Sequence, residues 1–178
     1  MKFKKIYIVG GQGSGKTTFA VLLSAKLGIR HIDLDILRQP GDKKTKRTIS
    51  ERIPYVQELA GKKEWIAEGI YITWVTDLLE QADVLIYLDI PAYVTIPRVI
   101  VRYFKRKIRG KDKYGFLNEM SLVKDIFKYH TGIFVKENSN EDRDITKKKT
   151  IQTLQKYVSK TVIIKNTKQS KEYLEKIV

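Results

Sequence analysis

Cysteine is missing altogether from this chain of 178 residues. Its absence excludes disulfides, cysteine-based metal sites and a thiol nucleophile. Histidine is nearly missing: His31 and His130 are the two present. Neither has a partner at metal-ligand spacing, so His31 reads as a packed or surface residue. Long unbroken apolar runs are lacking as well. The stretch Ala82 to Val101 comes nearest, but Asp83, Asp89, Pro91, Pro97 and Arg98 interrupt it. It reads as a strand, a turn and the start of a helix, and no membrane association is expected. No internal repeat or low-complexity linker is visible. The N-terminus enters an apolar strand almost at once, so no signal peptide is expected and a cytoplasmic location is the default. Acids are scarce: 20 Asp and Glu face 35 Lys and Arg, a net charge of +15. Such an excess draws in polyanions. Attraction of nucleotides, together with a surface bias of a Lys-rich proteome, is the favoured reading. Nucleic acid is the less favoured one, because lysine dominates arginine and many lysines stand singly or in short runs such as Lys147-Lys148-Lys149.

What is present is ordinary for a globular protein, 42% hydrophobic and 31% charged. The length suits one domain, 1–178, with a sizeable core and a small insertion. The most informative stretch lies near the start. The apolar run Ile6 to Val9 reads as a buried strand. Gly10-Gly11-Gln12-Gly13-Ser14-Gly15-Lys16-Thr17-Thr18 follows, and its first eight residues match G-x-x-x-x-G-K-[ST] at every position. A helical pattern comes next, with Phe19, Leu23 and Leu27 on one face and Gly28 as its stop. Strand, glycine turn and helix form the context in which this motif binds phosphate. Glycines let successive N–H groups point inward at phosphate oxygens, and the helix adds its positive dipole end. Lys16 offers a compact charge to the terminal phosphates, and the Thr17 hydroxyl is a Mg²⁺ ligand.

Four more strands are expected. Ile29 to Asp35 ends in a D-x-D, and side-chain alternation would put Asp33 and Asp35 on one face at the ligand rim. A helix N-cap or turn is the competing role for this pair. Trp65 to Gly69 ends in Glu68, where an acid could reach Mg²⁺, and Gly69 would let the backbone approach a ligand. Ala82 to Asp89 is continuously apolar, as for a strand buried on both faces, and Asp89 rivals Glu68 for the metal. Thr161 to Asn166 is the fifth. Between them, helices are expected at about Ile49 to Leu59, Tyr71 to Gln81, Pro91 to Lys107, Leu117 to Phe134, Ile145 to Ser159 and Lys171 to Val178. The polar stretch before Ile49 offers Arg38, Lys43, Lys44, Lys46, Arg47 and Arg52 to an acceptor phosphate. Arg98, Arg102 and Arg106 recur at i+4, with Arg109 three further on, a guanidinium stripe suited to clamping a polyanion. Residues 110–144, bounded by polar joints, form a candidate lid. Its aromatic residues, Tyr114, Phe116, Phe127, Tyr129 and Phe134, read as packing.

The alternation of five strands with helices, and the phosphate loop after the first, resembles the P-loop kinases of the adenylate kinase and shikimate kinase group. Within it, the stretches His31 to Asp35, Trp65 to Tyr71, and Ala82 to Pro91 with Arg98 to Arg109 most resemble the adenylate kinase-related DNA topology modulation (FlaR-like) proteins. The resemblance implies a three-layer α/β P-loop NTPase fold, a five-stranded parallel sheet in the order 2-3-1-4-5, and a helical lid. It implies that Gly10 to Thr18 bind ATP and Mg²⁺, with Asp33 on the metal side and Asp35 at the acceptor. Arg102, Arg106 and Arg109 would match lid arginines that hold ATP and the moving phosphoryl group. The implied activity is a kinase acting on a nucleotide or other small molecule. A nucleic-acid-associated ATP-dependent regulator and a simple NTPase are the alternatives. After Gly69 comes Ile70-Tyr71-Ile72-Thr73, without the proline and arginine by which nucleoside monophosphate kinases hold their acceptor.

Overall fold

The computed structural model describes residues 3–40, 46–110, 115–133, 135 and 144–177, with backbone alone for 115–119. Five strands form one sheet in the order β2-β3-β1-β4-β5, every pair parallel. They are β1 Lys5–Gly10, β2 His31–Asp33, β3 Trp65–Gly69, β4 Val84–Leu88 and β5 Thr161–Ile164. Among the described residues eight α-helices connect and flank them. They are α1 Lys16–Leu27, α2 Asp35–Arg38, α3 Ile49–Gly61, α4 Thr76–Gln81, α5 Ala92–Ile108, α6 Gly115–Thr131, α7 Lys147–Gln155 and α8 Thr167–Lys176.

The apolar runs of β1, β3 and β4 are explained by burial on both faces. Successive side chains of β1 part to opposite sides. Ile6 and Ile8 join Phe19, Leu23 and Leu27 of α1, with Tyr173 and Leu174 of α8 against them. Tyr7 and Val9 join Val56 and Leu59 of α3, Leu78 and Leu79 of α4, and Leu154 of α7. The sheet is thus the middle of three layers. Each fully buried Leu or Ile on it contributes roughly 1.5–3 kcal/mol of apolar transfer.

Boundaries differ from the expected ones where side chains capture the backbone. Strand β2 stops at Asp33, because the Asp33 carboxylate accepts the Asp35 N–H at 2.9 Å and turns the chain into α2. Helix α4 begins at Thr76 rather than Tyr71, since Tyr71, Ile72, Trp74 and Val75 bury themselves as an irregular segment. Helix α8 begins earlier than expected, at Thr167, where Asn166 Oδ1 caps the Gln169 N–H at 2.9 Å. Helix α6 packs beside α5 and α7. Lys43, Lys44, Tyr114, Phe134 and most of the polar joints of the expected insertion lie outside the described residues, as does the Phe116 side chain.

Candidate functional site

The turn after β1 is held open by two glycines in the left-handed region, Gly13 at φ 72° and Gly15 at φ 92°. A Cβ on Gly13 would also sit 3.0 Å from the Thr95 carbonyl of α5. Gly15 caps α1 without a side chain, so the first-turn N–H groups lack a side-chain acceptor. Two polar atoms of the turn, Gln12 Oε1 and Ser14 Oγ, are buried with no hydrogen-bond partner among the described residues. Lys16 Nζ folds back on the Gly11 carbonyl at 3.1 Å. Burial holds its pKa below the ordinary lysine value, outweighing the pull of Glu68, Asp35 and Asp33.

The parallel register sets Ile8 beside Glu68 and Val9 beside Gly69, so the end of β3 meets the turn. There the Thr17 hydroxyl donates to Glu68 Oε1 at 2.6 Å. Glu68 is 2% exposed. Desolvation raises its pKa above the ordinary carboxylate value, and Lys16 and the Thr17 hydrogen bond only partly offset this. His31 Nε2, on the neighbouring strand, lies 3.8 Å from the same oxygen. An anion at Lys16 and a cation at Thr17 and Glu68 would relieve both desolvated charges. The unpartnered Ser14 hydroxyl, the half-buried lysine and the hydroxyl–carboxylate pair therefore fit a phosphate tail with a hard cation. Among the described residues no cluster of three His, Cys, Asp or Glu could hold a metal alone. A cation here would need phosphate oxygens and water as further ligands, the ordinary habit of Mg²⁺.

A cleft of about 550 Å³ opens over the turn. Lys16, Thr17 and Glu68 line one end, and Asp35, Arg38, Tyr71, Leu122 and Asp125 the other, with Arg98 and Arg102 along its side. Asp35 is exposed at the start of α2, and Tyr71 donates its hydroxyl to Asp35 Oδ1. Arg98 reaches the Thr167 hydroxyl at 2.6 Å and the Ser14 carbonyl at 3.5 Å. Arg102 is destabilised as a cation by burial and by Arg106 beside it, an imbalance that an anion would correct.

Three expectations need correction. Asp33 and Asp35 do not share a strand face: Asp35 belongs to a helix, and Asp33 is occupied by the turn. Asp89 does not line the cleft. Lys147 holds its carboxylate at 2.6 Å, and the Tyr87 hydroxyl donates to it at 3.3 Å. Arg106 lines a groove along α5, with Lys105 and Arg109, and not the cleft, whereas Arg98 and Arg102 border both. Gly69 does line the cleft, and a side chain there would meet the Tyr71 ring, 2.8 Å from where its Cβ would be. Sequence reasoning assigned no role to Tyr71, Asp125 or Leu122. A tyrosine two residues past a strand-ending Glu-Gly was the one available signal, and it names no partner. Tyr129 does pack, as expected of the aromatic residues of α6: it is buried, with its ring against Gly11.

No protein-family model matches the chain. A curated relative, the uncharacterized protein YqaC of Bacillus subtilis (strain 168), is 31% identical over 116 residues. The match spans 62% of this chain and 65% of that protein, a little under two thirds of its length. Solved structures resemble the fold over nearly its whole length. Shikimate kinase from Acinetobacter baumannii in complex with shikimate has a TM-score of 0.54 at 19% identity, covering 98% of this chain and 90% of that one. A gluconokinase from Sinorhizobium meliloti 1021 has a TM-score of 0.55 at 15% identity, covering 99% and 91%. A sugar kinase from Janibacter sp. HTCC2649 has a TM-score of 0.50 at 18% identity, covering 96% and 89%. The five-stranded parallel sheet, its strand order and its phosphate loop give this chain the P-loop kinase fold of the shikimate and gluconate kinases.

Proposed function

We propose that the protein is an ATP- and Mg²⁺-dependent phosphotransferase acting on a small-molecule hydroxyl acceptor. The observation that carries this reading is the Thr17 hydroxyl donating to the buried Glu68 beside Lys16, at the foot of a cleft that also holds Asp35. The amides of Gly10 to Thr18 and the Lys16 ammonium hold the triphosphate tail. Thr17 and Glu68 hold Mg²⁺, directly or through its water. The ion supplies charge neutralisation on the phosphate oxygens. Arg102 balances charge at the side of the cleft. Asp35 orients the acceptor hydroxyl and takes its proton. The acceptor oxygen bonds the γ-phosphorus as the bond from that phosphorus to the ADP oxygen breaks. Residues 110–144 act as the lid of a single domain, and the protein works in the cytoplasm. The similarity of the solved kinases in fold supports phosphoryl transfer as the reaction class.

The test is ADP release with shikimate, D-gluconate and nucleoside monophosphates as added acceptors, with Asp35→Asn as the control. Stimulation by one of them, absent in the control, is expected. Equal ADP release with and without every acceptor would support a simple NTPase instead. A second reading is an ATP-dependent nucleic-acid-associated regulator of the DNA topology modulation kind. It is favoured by α5, which carries Arg98, Arg102, Lys105, Arg106 and Lys107 and no acid. It predicts tight duplex binding that weakens steeply with salt, whereas the phosphotransferase reading predicts weak binding.

A further inference from the structure

Tyr71 stands two residues past Gly69 and is 1% exposed, yet its hydroxyl reaches the cleft and donates to Asp35 Oδ1. Its own position is fixed from several sides. The fully buried Tyr7 of β1 donates its hydroxyl to the Tyr71 carbonyl at 2.6 Å. The Tyr71 ring lies on Gly69, within 2.8 Å of where a Cβ would stand. It tilts against Trp74 with ring centroids 4.6 Å apart. Trp74 in turn carries the Arg52 guanidinium, 5.1 Å over its ring. The phenol is therefore anchored by the sheet and by α3. Among the described residues, Asp35 has no such support. It opens a helix of four residues, it is exposed, and its turn is held by Asp33 through the backbone alone. A carboxylate placed so would otherwise turn freely about its side-chain bonds in the cleft.

We propose that Tyr71 is the positioning residue of the acceptor site: its hydroxyl pins Asp35 Oδ1 and leaves Oδ2 to face the acceptor. This inference rests on the phosphotransferase reading. During transfer the acceptor O–H proton passes to Asp35 Oδ2 while the acceptor oxygen takes the phosphoryl group and ADP leaves. Tyr71 keeps its own proton throughout. Its contribution is orientation, and a carboxylate held in one geometry offers its lone pair to the hydroxyl without first being ordered.

The experiment follows ADP release from ATP and Mg²⁺ with water alone, then with added shikimate or D-gluconate. It compares wild type, Tyr71→Phe, Asp35→Asn and the double variant. Tyr71→Phe keeps the ring on Gly69 and Trp74 and removes the hydroxyl alone. Its kcat is expected to fall about tenfold to a hundredfold, with KM for ATP within about twofold of wild type. Its melting temperature should stay within about 3 °C. The double variant should be no slower than Asp35→Asn, since the two groups act as one unit. A Tyr71→Phe protein with wild-type kcat overturns the inference and leaves the phosphotransferase reading standing. So does a double variant whose losses multiply, or a kcat that falls only in step with the melting temperature. A wild type that releases no ADP under any of the three conditions overturns both.

Discussion

At the phosphate end of the cleft, consecutive residues Gly10 to Thr18 make the turn, and Glu68 is brought to it by a strand register. At the proposed acceptor end, Asp35, Tyr71 and Asp125 line the cleft from three separate segments, and the Tyr71 hydroxyl donates to Asp35. On the phosphotransferase reading, the difference follows from what each end has to recognise. A phosphate tail is the same in every nucleoside triphosphate, so backbone N–H groups and one ammonium serve it. An acceptor is particular, and particularity takes side chains placed from different parts of the fold. At the phosphate end, desolvation holds the Lys16 pKa below and the Glu68 pKa above their ordinary values. The acceptor end is more open, and Asp35 stands exposed in it.

The comparison predicts unequal losses. The largest belongs to Lys16→Ala, whose turnover should fall about 10²- to 10³-fold, together with its ATP affinity, in a coupled ADP assay. Asp35→Asn should cost about 10²-fold in acceptor-stimulated transfer while nucleotide titrations give an unchanged ATP affinity. If Asp35→Asn weakened ATP binding as much as Lys16→Ala does, the division into two ends would fail. Arg52→Ala comes next. Arg52 is 5% exposed, donates through Nε to the Arg47 carbonyl at 2.9 Å and lies over Trp74, so it braces the acceptor end from behind. Its loss should lower the unfolding free energy in urea by about 1–3 kcal/mol. The smallest effect lies away from both ends, at the capping box of α3. There Glu51 Oε2 accepts the Thr48 N–H at 2.7 Å, and Thr48 Oγ1 accepts the Glu51 N–H at 3.4 Å. The Thr48 hydrogen bonds hold the Glu51 pKa below its ordinary value of 4.5. A folded pKa below the unfolded one stabilises the protein above the ordinary value. That stability is lost as pH falls through the depressed one. Melting temperatures between about pH 6 and about pH 3 should show this loss in wild type and a flatter profile in Glu51→Gln.

The same contrast decided what was legible in the sequence. The motif Gly10 to Thr17, the apolar runs of β1 and β4 and the acid of Glu68 are local patterns. The structure puts them together much as the spacing implies. The acceptor end was read less well, because its geometry depends on captures between distant residues. Asp35 looked like a strand residue until Asp33 took its N–H. Asp89 ended an apolar strand just as Glu68 did, and only the fold shows Lys147 already on it. Tyr71 sat inside an expected helix. Its real environment is made by Tyr7, Trp74 and Asp35, which lie 64, 3 and 36 positions away. The arginine stripe of α5 was correctly periodic, yet Arg98 and Arg102 border both the cleft and the groove along α5, while Arg106 borders the groove and not the cleft.

The most direct measurement is backbone amide NMR during titration with a non-hydrolysable ATP analogue, with and without Mg²⁺. The account predicts that the largest shifts fall on the amides of Gly13, Gly15, Lys16 and Thr17, that they require a single site, and that Mg²⁺ extends them to Glu68. Shifts confined to the basic face of α5, or no response at the turn after β1, would contradict it.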